Sequence, residues 1–501
     1  MRIITRVVLL AAAVGLFAYS LYACGGGGAA RGGDIAVQLT YPGSSGADAS
    51  MASAPGLSDD SVSHAPVATS YPLDPSNRIL IRVLGPDFAP MEAWFNRSQG
   101  RGVIKNVPPG SKIVVEVDEY DSSAVTLGTS ATLLGRGWVQ DITLAEGEAK
   151  TVDVAMHARG TILTICGAQA VNGLGTQGDS GDGGLAVDAR ISSPWAVKVG
   201  PDDSIYISNG NRKVKRIDRY GYISHFAGDG SSAPVTVPGI AAASAPVGNV
   251  HDIDFDPSGN VYLATYYSLV DRSQILKITD GIISKIVYDV VTIRSIGNLA
   301  VVNENELFFV NSGPRIYQIV GSSINEFVRY DTPPSTSEPF DRLHYLIRNP
   351  SAITYASKSN SLVFSEYDNN RIMELNLAGD DIRFLVGNDA NSGSFYEGVD
   401  PRFMALDRPQ VVEYNPVTGK IFFVEVGSSR VLYITPDDVV QTFAGDGNPG
   451  FSGDGSRSDK AQLDGWPRGV SVDSRGNVYI ADYGNHAIRM VVGGALGELP
   501  P

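Results

Sequence analysis

The sequence points to an all-β chain, and three observations carry that prediction. Residues 466–491 (WPRGVSVDSRGNVYIADYGNHAIRMV) read as three short strands. Val470 and Val472 alternate with polar neighbours, Asp473–Asn477 is turn chemistry, Val478–Ala481 is β-prone, and a third strand starts at Ile488 after the Tyr483–His486 turn. The same pattern recurs upstream, with second-strand anchors at Tyr206, Tyr262, Phe308, Val363 and Phe422 before Tyr479, spaced 46 to 59 residues apart. Five copies add a fourth strand, whereas the sixth runs out of chain. Its missing strand lies at the other end, where GTILTICG (160–167) matches GYISHFAG (221–228) and VVQTFAG (439–445). Six four-stranded units, the last completed by an N-terminal segment, describe a six-bladed β-propeller over 158–501. Closing the ring removes the edges that an open array of sheets would expose.

Taken in order, the chain opens on Arg2 and Arg6 followed by an apolar run to Ala23, the layout of a secretory signal peptide over residues 1–23. Leu21-Tyr-Ala-Cys24 resembles a bacterial lipobox. The resemblance implies that Cys24 is lipidated and becomes the mature N-terminus, with a Gly-rich tether over 24–33. One acyl chain holds a protein only marginally and several anchor it stably, so a multiply acylated Cys24 would fix the chain to a membrane without a spanning helix. Gly25 resembles the outer-membrane sorting pattern, and the resemblance implies an outer-membrane or cell-surface location.

Residues 34–157 read as a small β-sandwich. Strands are expected at 34–42, 79–85, 91–95, 102–110, 112–121 and within 138–156, interrupted by a Ser-, Ala-, Gly- and Pro-rich stretch at 43–77 that reads as a mobile loop. The pattern NVPPGSKIVVEVD (106–118), followed by TLAEGEAKTVDV (143–154), resembles the immunoglobulin-like and carboxypeptidase-regulatory-like modules of bacterial surface proteins. No catalytic cluster is found in it, and its expected role is a spacer, with an adhesion module as the alternative.

In the ring, GNVYIADYGNHAIR (476–489) resembles the NHL repeat. GDSGDGGLAVDARISSP (178–194) and GDGNPGFSGDGSRSDKAQLDGWP (445–467) resemble the SGDGG insertions of bacterial and teneurin-like members. The resemblance implies a six-bladed NHL-type propeller that binds partners around its channel or on one rim. Asp182 and Asp454 in these loops suit turn capping, with calcium ligation as the alternative. Neither loop has the EF-hand spacing.

The whole-chain composition narrows the partners. A net charge of −15 over 501 residues opposes nucleic acid, which demands a basic surface. Only two cysteines occur, Cys24 and Cys166, so stability rests on the core and on ring closure.

Candidate binding residues come from aligning the copies. The second strands end in Asn209, Thr265, Asn311, Glu366, Glu425 and Asp482, and the third begin with Lys213, Gln274, Arg315, Arg371, Arg430 and Ala487. Glu366/Arg371 and Glu425/Arg430 face each other across short turns and read as exposed hairpin-closing ion pairs, with a charged binding rim as the alternative. The tops of the inner strands carry Trp195, His251, Asn298, Ala352, Gln410 and Arg468, too mixed for a calcium site. Zinc catalysis needs about three converging ligands. Of six histidines (64, 157, 225, 251, 344 and 486), His251 and His344 could face the channel. The candidate rim is therefore Trp195, Lys213, His251, Arg315, Arg371, Arg430, Arg468 and His486, with no catalytic residues, metal or cofactor. The expected function is a lipid-anchored, extracytoplasmic, monomeric binding platform for a protein or carbohydrate at the cell envelope. The alternative is a metal-dependent lactonase or lyase working in the channel.

Overall fold

The computed structural model describes residues 32–41, 77–99, 101–121, 132–167, 177–290, 295–311, 313–328, 340–342, 345–387 and 400–496. The signal peptide, Cys24, most of the tether, the 43–76 stretch, His64 and His344 lie outside the described residues.

The N-terminal unit has seven strands: β1 (Gly33–Thr40), β2 (Arg78–Gly85), β3 (Phe88–Asn96), β4 (Arg101–Val107), β5 (Gly110–Tyr120), β6 (Leu133–Leu144) and β7 (Ala149–Ala158), in the order β3-β2-β5-β6-β7-β1-β4. β7 pairs with β6 only between Met156–Ala158 and Gly135–Gly137, then leaves it to run parallel to β1 from Ala149 to Ala155. The sheet thereby turns back on itself. Alternating residues of both halves, among them Ile35, Val37, Ile81, Val83, Val115, Val117 and Val154, meet in one core.

β8 (Ile162–Cys166) leaves this unit and enters the ring as the outer strand of the last blade. It pairs antiparallel with Ala487–Val491, with Val491 opposite Ile162 and Ile488 opposite Cys166. The first five blades each present four strands from inside outward, as in Val197–Val199, Ile205–Asn209, Lys213–Ile217 and Ile223–Ala227 of blade 1. The others start at inner strands Asn249–Phe255, Ile296–Asn303, Pro350–Ala356, Pro409–Tyr414 and Gly469–Val472. Second strands are apolar on both faces, as in IFFVE (421–425), because each blade is packed between two others.

The residue closing each outer strand explains why GTILTICG matched its counterparts. Gly167 has φ +96°, and a Cβ there would collide with the carbonyl of His486. Gly228, Gly387 and Gly445 hold the same conformation against the third-strand turns of their own blades.

Two short strands were not foreseen. Ile240–Ala241 and Phe340–Asp341 each pair along the outer strand of the blade they precede. The two SGDG loops do the same job through single bridges, Leu185 with Tyr222 and Arg457 with Thr161. Gly183 N–H bonds Ile223 O (2.8 Å) on blade 1, and Gly455 N–H bonds Ile162 O (2.9 Å) at the seam. The outer edges of blades 1, 2, 4 and 6 are thus covered by the chain's own segments, which blocks pairing with other chains there, whereas the outer strand of blade 3 (Ser323–Val328) stays largely exposed.

The SGDG aspartates neither cap their turns nor converge on a cation site. Lys215, 1% exposed, bonds Asp179 (2.6 Å) and Asp182 (2.7 Å), and Arg489, 0% exposed, bonds Asp454 (2.7 Å) and Asp482 (3.4 Å). A buried side-chain cation from the third strand of the same blade fills the role considered for calcium. This replaces the turn-capping expectation.

The N-terminal unit is fastened to blade 6 by charge. Asp118, 1% exposed, accepts from Arg82 Nη1 (2.7 Å), from Arg136 and from Arg475 Nη2 (3.3 Å) of the propeller. Arg136 Nη1 also donates to Asn477 Oδ1 (2.7 Å), and Arg475 pairs with Glu116.

Candidate functional site

Inner strands of neighbouring blades do not hydrogen-bond to each other as a sheet, so their facing N–H groups need other acceptors. Side chains of the adjacent blade supply them. Asp252 accepts from Leu299 N–H (2.9 Å), Asp254 from Val301 N–H (2.7 Å), Asn298 from Ile353 N–H (2.7 Å) and Ser471 from Val199 N–H (3.1 Å). These side chains line the axis of the ring. At the register position opposite the second-strand anchors stand Lys198, Asp254, Ala300, Thr354, Glu413 and Ser471.

Lys198 forms the floor of the channel. Its ammonium lies 3.2 Å from Asp254 and 2.7 Å from Glu413, and Ser471 Oγ donates to Glu413 (3.3 Å). Burial opposes the lysine charge, but the paired Asp254 and Glu413 outweigh it and hold its pKa above the usual value. Burial pushes Asp252 up to about 8 against the pull of Lys198, so its carboxyl is largely protonated at neutral pH. Burial also raises Glu413, opposed by Lys198.

Above the floor, a cavity of about 300 Å³ opens at the top of the inner strands, lined by Trp195, His251, Asn298, Ala352, Gln410 and Arg468 among others. A bulge between Val250 and Asp252 turns His251 toward this mouth. Its Nδ1 lies 2.9 Å from Ile296 O, so Nδ1 carries the proton and Nε2 is left as an acceptor. Burial, with the Arg468 charge added, keeps the imidazole pKa below its ordinary value and the ring neutral. The Trp195 ring is stacked with His251 (5.2 Å between centroids, 23°) and meets Tyr483 edge-on. The Arg468 guanidinium sits 4.1 Å from the Trp195 centroid and 5.4 Å from those of Trp466 and Tyr483.

The eight candidate rim residues therefore separate. Trp195, His251 and Arg468 come together at the mouth. Lys213 pairs with Asp179 (2.7 Å), and Arg315 with Glu326 (3.1 Å). Arg371 pairs with Glu366, but that pair is buried rather than exposed, with Glu366 0% accessible. Arg430 does not pair with Glu425 through hydrogen bonds: it reaches Asp446 O (3.2 Å), while Glu425 accepts from Asp407 N–H (2.8 Å) and Ser428. His486, at φ 52°, accepts at Nδ1 from Ser193 N–H (3.0 Å) and so links the last blade to the first.

The exposed hairpin pairs are thus corrected to a buried clamp. Asn209, Glu366, Glu425 and Asp482 each accept the N–H of the segment entering the inner strand of their own blade, at Ser192, Arg348, Asp407 and Asp464. The hairpin turns are too short to expose these groups, and an unpaired N–H beneath them would cost more than a surface ion pair gains.

Lys198, Asp252, Asp254 and Glu413 were missed as channel residues. The available signal was a charged residue at one aligned position in three inner strands, WAVKV, DIDF and VVEY, with a second aspartate in DIDF. Among the described residues no group of three His, Cys, Asp or Glu side chains is placed to hold a metal ion.

Comparison with known proteins agrees on the fold. The NHL repeat family matches residues 465–489. No curated protein matches. An auxiliary nutrient binding protein from Bacteroides ovatus superposes with a TM-score of 0.50 at 15% identity, covering 82% of this chain and 93% of its own. One of the same description from Bacteroides thetaiotaomicron gives 0.49 at 14% identity, covering 82% and 90%. Virginiamycin B lyase from Staphylococcus aureus gives 0.37 at 17% identity, covering 67% and 89%. The chain carries an NHL repeat and folds as a six-bladed β-propeller.

Proposed function

We propose that the chain is a non-catalytic binding protein of the cell envelope, anchored through a lipidated Cys24 and presenting the channel mouth to a partner beyond the membrane. The N-terminal unit, read as an immunoglobulin-like spacer, stands between anchor and ring. One observation carries the binding reading. The mouth is a 300 Å³ cavity in which the Gln410 side-chain oxygen Oε1 is buried without a hydrogen-bond partner and the Arg468 guanidinium has no carboxylate within ion-pair distance among the described residues. Buried polar groups are normally satisfied, and an open cavity beside unsatisfied ones is the usual form of a ligand site. The nutrient-binding description of the Bacteroides ovatus protein accords with this reading. A lactonase or lyase gains no support from the donor set, which offers neutral His251 with Nδ1 already spent and carboxylates tied to backbone N–H groups.

The test is calorimetric titration of the mature protein with a panel of mono- and oligosaccharides, repeated with the mouth filled by Gly297→Trp, at a lining position where an added Cβ meets nothing closer than 3.4 Å. Binding that is abolished by the filled mouth supports the reading. Substrate turnover that depends on a stoichiometric metal would overturn it. Fatty-acid labelling lost in Cys24→Ser, with release from the membrane fraction, tests the anchor separately.

A further inference from the structure

The binding reading above, on which this inference rests, leaves the ligand class open, and the charges at the mouth narrow it. Lys213, Arg315 and Arg371 are neutralised by Asp179, Glu326 and Glu366, and Lys198 by Asp254 and Glu413. Arg468 differs from all of them. No described side chain or carbonyl accepts a hydrogen bond from it, its Nε is buried without a partner, and three aromatic rings surround it. The carboxylate whose field it feels, Asp464, is occupied by Trp466 N–H (3.1 Å) and Gly484 N–H (2.8 Å). A partly desolvated guanidinium hemmed in by aromatic rings is suited to two-point contact with a planar anion, and a carboxylate has that shape.

Two further groups say what else the anion carries. Gln410 Oε1 is buried without a donor, and His251 Nε2 is an acceptor because Nδ1 donates to Ile296 O. Both call for hydroxyl donors on the ligand, and Ser295, Asn298 and Ser351 make the remaining wall polar. Trp466, 51% exposed, offers an aromatic face at the entrance. A flat apolar acid would leave Gln410 and His251 unpaired, which polar sites penalise strongly. A cavity of 300 Å³ is at the small end of ligand sites, suited to one ring rather than a polymer.

We propose that the channel mouth binds a hexuronic acid, free or as the terminal residue of an oligosaccharide, with Arg468 taking the carboxylate and Gln410 and His251 taking ring hydroxyls. Titration of the full chain with galacturonate, its methyl ester, galactose and trigalacturonate tests this. The expected result is binding of galacturonate with the ester and galactose about 10- to 100-fold weaker, the loss set by one charge-assisted contact. Arg468→Gln should remove the preference for the acid, and the ester comparison on the wild-type chain gives the same information if that variant does not fold. Tighter binding of trigalacturonate identifies the terminal residue of a glycan as the source, and equal binding identifies the free sugar acid. Equal affinity for galactose and galacturonate, still blocked by Gly297→Trp, would overturn the acidic ligand while leaving the binding reading in place. Failure of every saccharide to bind would overturn both.

Discussion

Asp118 is the clearest place to perturb, because one buried carboxylate joins the two halves of the molecule. It is 1% exposed and serves Arg82 and Arg136 of the N-terminal unit together with Arg475 of the propeller. Replacing it by Asn keeps the volume and removes the charge. Arg136, with a side chain only 4% exposed, would then keep the neutral Asn477 as an acceptor (2.7 Å) but lose its carboxylate partner, while Arg475 still has Glu116. Removing one partner of a buried ion pair typically costs about 3–5 kcal/mol, and Asp118→Asn is placed in that range.

The pH dependence follows with a definite sign. Burial pushes the Asp118 pKa up, but the attractions of Arg136, Arg475 and Arg82 outweigh it and hold the carboxyl below the usual carboxylate range. A depressed folded-state pKa means the stabilisation is complete above about pH 4, the unfolded value, and is lost as pH falls toward the folded pKa, at about 1.4 kcal/mol per unit. Urea unfolding of wild type and Asp118→Asn at pH 7 and pH 3 is the assay, read as the difference between the two proteins at each pH. The gap should be about 3–5 kcal/mol at pH 7 and about 1 kcal/mol smaller at pH 3. Combining the substitution with Arg475→Ala in a double-mutant cycle should show coupling, since the groups are 3.3 Å apart. Equal midpoints for wild type and Asp118→Asn at pH 7 would refute the argument that this junction is held by charge.

Three other outcomes follow. Cys166 is 0% exposed opposite Ile488 in the closing strand, and burial pushes its thiol up to about 12. It should resist thiol reagents in the native protein and react at a rate set by seam opening, and immediate labelling would contradict a closed ring. Arg489→Met removes the counter-charge from buried Asp482 and the cation from Asp454, so about 3–5 kcal/mol should be lost in denaturant unfolding. Asp252 has a raised pKa of about 8, so its favourable contribution is full below pH 4 and lost as pH rises toward 8. Relative to Asp252→Asn, the wild type should lose up to about 1.4 kcal/mol per pH unit over that interval, and a pH-independent difference would refute the protonated carboxyl.

How much of this could be read beforehand depended on whether a feature was local. Blade number and the strand exchange were legible because each second strand is a short apolar run bracketed by turn residues, and because Gly167 repeats a conformational requirement shared with Gly228 and Gly445. Pairing between distant strands leaves no such trace. Alternation in DIAVQLT (34–40) reveals a strand but not that it lies parallel to β7, more than a hundred residues later. Charged residues near turns were misjudged for a related reason: Glu425 looks like a partner for Arg430 in sequence, yet the N–H of Asp407 reaches it first. The channel was partly legible. Trp195, His251 and Arg468 stood at the correct ends of their strands, but the bulge that aims His251 is invisible to alternation.

The floor of the channel suggests a better rule for such repeats. At the position opposite each second-strand anchor the residues are Lys198, Asp254, Ala300, Thr354, Glu413 and Ser471, while the strands themselves keep one geometry. A position whose backbone role is constant and whose side chain changes in size and charge from blade to blade is not being chosen for blade packing, since packing would ask the same of every copy. What differs between blades at that level is the neighbour across the axis, and Lys198 meeting both Asp254 and Glu413 is that difference made visible. The same reasoning singles out Arg468 one layer higher. Five aligned positions offer no cation there, so its charge is not a requirement of the repeat, and it lines the open cavity.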